Sequence, residues 1–225
     1  MKDFVFTPEI SAAAPALRVA VVEADIVNGE TTDALWAEIS RAAALLAGTP
    51  MEAVNKRPAI AATRAAYKAA GKEPNRYRPS AEALCRRCVK GLELYRSLAV
   101  IDLINLLSIQ SGHSIGGFDA DKIEGGLLTL GIGRDGEPYE AIHRGQFNIA
   151  GMPVIRDAVG GIGTPTSDND RTKLSADTRH LLMTVNMYDG GGTDAECESF
   201  FDEMRRLLVR YSSAENIEIK IFNAK

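Results

Sequence analysis

Residues Ala99 to Asp119 read AVIDLINLLSIQSGHSIGGFD, and the chain changes character inside that stretch. Val100, Ile101, Ile104, Leu107 and Ser108 recur at helical spacing, which predicts a helix from about Leu98 to Gln110. Gly112 ends the run. Gly116-Gly117-Phe118-Asp119 reads as a turn, because paired glycines punctuate a chain. Asp102 and Asn105 lie three apart on the otherwise apolar helix, so they share a face and need partners if buried.

Toward the N-terminus the chain reads mostly as helix. Leu17 to Val22 is a short β-branched strand. Thr32 or Asp33 then caps a helix through Leu35, Trp36, Ile39, Ala43 and Leu46, stopped by Gly48. Pro58 suits the first turn of an alanine-rich helix ending at Gly71. Pro74 and Pro79 force Lys72 to Pro79 to be extended or turned. Ser80 opens a further helix through Leu84 and Val89 to Gly91.

Toward the C-terminus strands dominate. Leu127–Ile132 is one, Arg134 to Pro138 a hairpin-like turn, and Tyr139–Ile142 and Met152–Arg156 two more. Gly160 to Lys173 reads as a loop and Leu181 to Met187 as a buried strand. Asp194 caps an amphipathic helix carrying Phe200, Phe201, Met204, Leu207, Leu208 and Tyr211. Ile217, Ile219 and Ile221 alternate with polar neighbours in a last strand with one wet face. A helical first half, then strands closed by a helix and a strand, gives an α+β class. With no repeat and no break in composition, residues 1–225 read as a single domain.

The 225 residues are 45% hydrophobic and 25% charged, an ordinary globular composition that argues against disorder. Three cysteines are an odd number, which suits a reducing compartment better than a disulfide framework. Pro15 and Arg18 interrupt the apolar stretch from Ile10 to Val22, so no signal peptide or membrane span is expected, and the location expected is cytoplasmic. The net charge of −4 argues against a generic nucleic-acid binder, and no DNA partner is expected. Yet residues 56–90 hold ten basic side chains against Glu73 and Glu82, so that window is +8 and the remainder −12. Such asymmetry suits either a phosphate-binding face or the solvated faces of two helices.

Cys85-Arg86-Arg87-Cys88 lacks the second ligand pair a zinc site needs, so core-facing cysteines are expected and no metal. His113, His143 and His180 have no metal-type spacing. No phosphate-cradling loop or nucleophile elbow is present, and no cofactor is expected. Gly160-Gly161-Ile162-Gly163 leads into Thr164-Pro165 rather than a helix. Thr166 to Thr172 (TSDNDRT) is the densest polar cluster, and a loop spends such side chains on its own turns or on a ligand.

Three stretches together resemble the B3/B4 domain, the tRNA-editing domain of the phenylalanyl-tRNA synthetase β subunit, in its free-standing form. Arg78 to Leu84 (RPSAEAL) is similar to the entry motif R-P-S-x-E-A-L of free-standing members. Ala99 to Asp119, followed by Asp121 to Gly125, is similar to V-D-x-x-N-x-x-x-L…F-D and D-x-x-E-G. Thr164 to Val185 is like S-D-x-x-R-T…T-x-T-x-x-L-x-x-V. The likeness covers roughly residues 55–190. It implies a mixed β-sheet with packed helices and a pocket between two halves. It also implies a tRNA or aminoacyl-tRNA partner, and ester hydrolysis that removes tyrosine from mischarged phenylalanine tRNA. One departure matters. Where the synthetase domain carries a histidine in its M-H-A-F-D segment this chain has Gly116, and Ser114 stands in place of the usual proline.

The resemblance therefore implies hydrolysis of mischarged tRNA in trans, or instead a non-enzymatic module for RNA or an amino-acid-like ligand that has lost the editing chemistry. No catalytic residue is assigned. Asn105, Gly116, Gly117, Phe118, Asp119, Asp157 and Thr172 are expected around the pocket, with Asp157 the nearest match to a pocket carboxylate. Arg78, Arg86 and Arg87 are expected on the approach for phosphates. Phe118 and Asp119 equally fit a core residue and a turn cap.

Overall fold

A computed structural model describes residues 1–224. In chain order its elements are β1 (Asp3–Phe6), α1 (Pro8–Ala13), β2 (Arg18–Asp25), α2 (Asp33–Leu46), α3 (Met51–Val54), α4 (Pro58–Ala69), α5 (Ser80–Val89) and α6 (Ala99–Ser111). Then follow β3 (Ser114–Asp119), β4 (Leu127–Ile132), β5 (Glu140–Ala141), β6 (Gly145–Gln146), β7 (Pro153–Arg156), β8 (Gly161–Gly163), β9 (His180–Met187), α7 (Asp194–Ser212) and β10 (Glu215–Asn223). The arrangement is α+β. Among the described residues no helix is long and apolar enough to cross a membrane.

Two four-stranded sheets carry the fold. One has the order β1-β4-β7-β8, with β1 parallel to β4 and the rest antiparallel. The other is antiparallel throughout, in the order β10-β2-β9-β3. The run Val19–Val22 of β2 is apolar and buried at every position because both of its faces are covered. Val19 and Val21 join Phe4, Phe118, Leu128, Leu130, Ile155 and Leu182 in the core between the sheets. Ala20, Val22 and Ala24 turn the other way, to pack with Leu181, Met183 and Val185 beneath Leu35, Ile39, Leu103, Leu107 and Met204 of α2, α6 and α7.

Local chemistry sets most helix ends. The Thr32 hydroxyl accepts the Leu35 N–H at the start of α2. Pro58 occupies the first turn of α4, and Gly112, at φ 84°, ends α6 in the left-handed region. For α7 the cap is Thr193 rather than Asp194. Thr193 and Glu196 close a reciprocal capping box, which places Asp194 inside the first turn.

The segment Gly116–Asp119 is corrected from turn to strand. Ser114–Asp119 is buried throughout and pairs with β9 in continuous register. A Cβ at residue 116 would come within 2.7 Å of Phe118 Cζ, and one at 117 within 2.4 Å of Ile104 Cδ1. Close packing on the two faces, not turn geometry, accounts for the glycine pair. The Gly160–Lys173 loop likewise contains β8 and a 3-10 turn at Asp170–Thr172. The turn after β4 does not lead to its hairpin partner, because β4 pairs with β7 while β5 pairs with β6.

Candidate functional site

The edge strand β3 forms the floor of a cleft of about 450 Å³, within the range of small-molecule sites. Ser114, Ile115 and Gly117 supply the floor, and Ile101, Ile104, Asn105 and Ser108 of α6 supply one wall. Opposite stand Thr164, Ser167 and Asp168 of the loop after β8, with Ile142 and His143 from the β5–β6 turn. Leu84 and Leu98 add apolar surface at one end.

Two polar groups in this lining are uncommitted. The Asn105 side chain makes no hydrogen bond among the described residues, so its amide has donors and an acceptor free. The Ser114 hydroxyl is buried and has no partner. Asp102, one turn earlier on α6, is already engaged. It accepts the Ser97 N–H at 2.8 Å and the Thr31 hydroxyl, so it serves the start of its own helix.

Asp168 is the unusual group. Two side chains of the polar loop around it serve its own turns: Thr164 accepts from the Thr166 and Ser167 amides, and Asn169 accepts from the Arg171 amide while donating to the Gly161 carbonyl. Asp168 is left facing the cleft with one hydrogen bond to its carboxylate, from the Gly117 N–H to Oδ2 at 3.2 Å. No cation accompanies it. Burial pushes its pKa up to about 7, against the smaller opposing effect of the Gly117 N–H. Behind it, a void of about 10 Å³ between the sheets is lined by Gly116, Thr184, Asn186 and Tyr188. The Thr184 and Tyr188 hydroxyls and Asn186 Oδ1 are buried there without partners. Asp168 thus lines both the cleft and this small void, whose other walls include Phe118, Leu130 and Ile155.

The sequence-expected residues divide. Asn105 and Gly117 line the cleft together. Gly116 lies on the opposite face of β3, toward the inter-sheet chamber. Phe118 is fully buried in the inter-sheet core, and Thr172 is fully buried as well. Asp119 accepts from the Thr178 hydroxyl and the Asp121 amide and pairs with Lys122 at 3.1 Å. Asp157 accepts the amides of Glu124, Val159 and Gly160 and pairs with Arg171 at 2.8 Å. These donors outweigh burial and hold its carboxyl below the usual range. Asp119 and Asp157 therefore fasten turns, and neither lines the cleft.

The expected arginines are partly engaged elsewhere. Glu82 is fully buried and receives Arg64 at 2.9 Å, Arg86 at 2.8 Å and Arg78 at 3.5 Å. Arg87 lies 4.4 Å from the Tyr95 ring centre. Arg78 remains well exposed. Cys85 and Cys88 are both buried, and burial raises their thiols. Among the described residues no three His, Cys, Asp or Glu side chains are arranged to hold a metal ion.

His113 does not reach the cleft. It lines a separate open groove of about 1010 Å³ with Asp189 and Phe200, where burial lowers its pKa. A third depression, about 340 Å³ between Trp36, Ala43, Cys88 and Leu92, is largely apolar.

The chain matches the B3/4 domain family over residues 62–200. It is 30% identical over 93 residues to a phenylalanine–tRNA ligase beta subunit of Bartonella henselae, covering 40% of this chain and 11% of that protein. The chain thus spans about a tenth of the length of that curated relative. An N-terminal fragment of the phenylalanyl-tRNA synthetase beta-subunit from Pyrococcus horikoshii aligns with a TM-score of 0.46 at 13% identity, over 97% of this chain and 50% of that one.

Proposed function

This chain belongs to the B3/4 domain family, and from that premise we propose that its cleft receives the aminoacyl end of a tRNA and hydrolyses the ester in trans. The observation that carries the reading is Asp168: a carboxylate without a cation, its pKa pushed up to about 7 by burial, lining the same cleft as the uncommitted Asn105 amide. A base is most useful when its pKa lies near the working pH. Asp168 would take a proton from water as the water attacks the aminoacyl carbonyl. Asn105 and the Ser114 hydroxyl have the donors to stabilise the oxygen on which charge develops. The ester C–O bond then breaks, and the proton held by Asp168 passes to the departing 3′ oxygen. The chain acts as one domain in this reading, in the cytoplasm.

A second reading is supported by Gly116, which stands where the synthetase domain is expected to carry a histidine. In that reading the protein binds RNA or an amino-acid-like ligand without cleaving it. A panel of mischarged tRNAs incubated with wild type and Asp168→Asn separates the two. Trans-editing predicts deacylation of at least one species above buffer, reduced at least about a hundredfold by the substitution, in line with loss of a general base. No deacylation of any species, with binding retained, selects the non-enzymatic module.

A further inference from the structure

Beside the mouth of the cleft lies a surface that neither the Glu82 cluster nor the cleft uses. Tyr77 and Phe147 are half-buried and meet edge to face, with ring centres 5.7 Å apart at 75°. Arg76 lies 5.5 Å from the Tyr77 ring centre, and Arg144 lies 5.7 Å from that of Phe147. Both arginines are exposed, and among the described residues neither guanidinium has a hydrogen-bond or ion-pair partner. Lys72 also lies over Tyr77, at 3.8 Å, but its ammonium group is committed to the Asn148 and Ala150 carbonyls, where it fastens the loop after Phe147. Nearby Glu73 turns its carboxylate back to the Asn75 amide.

Two connections fix this cluster to the cleft. Arg144 directly follows His143, which lines the cleft and is held at φ 59° in the β5–β6 turn. The Tyr77 carbonyl accepts the Thr166 hydroxyl at 3.0 Å, in the same loop that presents Asp168.

We propose that Arg76, Tyr77, Arg144 and Phe147 form a docking platform for a single-stranded RNA end that enters the cleft. The proposal rests on the reading of the cleft as an aminoacyl-tRNA site. Two contacting rings, each with an unpaired guanidinium group beside it, offer stacking surfaces for bases and charges for phosphates, the combination that single strands require. A duplex would present its bases already stacked, with nothing for the rings to receive. An acidic peptide would use the arginines and leave the rings idle.

Fluorescence anisotropy with a labelled single-stranded RNA of about 12 nucleotides, a length within known site sizes, tests this. A polyglutamate peptide is the second probe, and thermal melting confirms that each variant is folded. Arg76→Gln combined with Arg144→Gln should weaken RNA binding about tenfold or more and flatten the log–log salt slope by about 1.4, two lost phosphate contacts on a single strand. Phe147→Leu should weaken it at least about fivefold with the slope unchanged. RNA binding unaffected by both platform variants overturns the proposal. So does polyglutamate binding that matches RNA in affinity and in its loss with the arginines. If the platform variants behave as stated while no mischarged tRNA is cleaved, the platform stands and the hydrolytic reading falls. If cleavage occurs but the platform variants bind RNA normally, the platform alone falls.

Discussion

Glu82 is a fully buried carboxylate and Asp168 a half-buried one, and the loop that presents one touches the helix that carries the other, through the Ser80 N–H and the Pro165 carbonyl. Their surroundings differ in kind. Glu82 is fully enclosed and compensated by Arg64 and Arg86, with Arg78 farther off. Asp168 has one backbone N–H and no cation, and its pKa rises accordingly. Asp157 falls with Glu82, since three amides and Arg171 satisfy it. A buried charge whose partners are complete holds the fold. One left incomplete, in the wall of a cleft, costs stability and is available for a ligand or a reaction.

The contrast can be broken first at Glu82. Glu82→Ala strands Arg64 and Arg86 against each other, and the loss should be about 3–5 kcal/mol in a denaturant titration. An unchanged midpoint would mean that the cluster is not structural.

Asp157→Ala should cost about 1.5–3 kcal/mol, the value of hydrogen bonds to a charged acceptor. Its pH dependence has a definite sign. The native pKa is lowered, so the stabilisation is present above the ordinary carboxyl range and is lost as pH falls through the native value. The gap between wild type and variant should therefore narrow in acid.

Asp168→Asn should behave in the opposite way. The native pKa is raised, so the wild type's contribution is full below the ordinary value of 3.8 and is lost as pH rises through about 7. The variant should gain on wild type steadily between pH 4 and 7, because ionisation of the native carboxyl costs the wild type stability across that interval. Paired thermal melts across that interval check the sign. A variant that loses ground as pH rises would place Asp168 with Asp157.

The same contrast shows what the sequence could reveal. Caps, breakers and periodicity located α2, α4, α5, α6, β9 and α7, because each is written in neighbouring residues. The short elements β1, α1 and α3 carry too few residues for a period and were not expected. Gly116-Gly117 misled because paired glycines usually mark turns, whereas here the reason lies in Ile104 on another element and in Phe118, two residues on along the same face of the strand. Gly116→Leu would consequently disturb the sheet behind the cleft instead of plugging it.

Asp157 did carry a local signal that it belongs to a turn. It stands three residues before Gly160, and its carboxylate accepts the Val159 and Gly160 amides. Asp168 carried no such signal. It sits in the polar run Thr166–Thr172 among residues of the same type, and only the fold shows that its neighbours serve the loop while it faces α6. Chemistry of this kind depends on which partners are absent, and sequence spacing does not report that.

The most direct test follows backbone and side-chain amide resonances of isotopically labelled protein during titration with a non-hydrolysable 3′-aminoacylamino-adenosine. The Gly117 amide bonds to Asp168 and the Asn105 amide lines the same cleft, so both should shift first and saturate together. Shifts confined instead to His113 and Ala195, or to Trp36 and Leu92, would place the ligand in another groove and contradict the account.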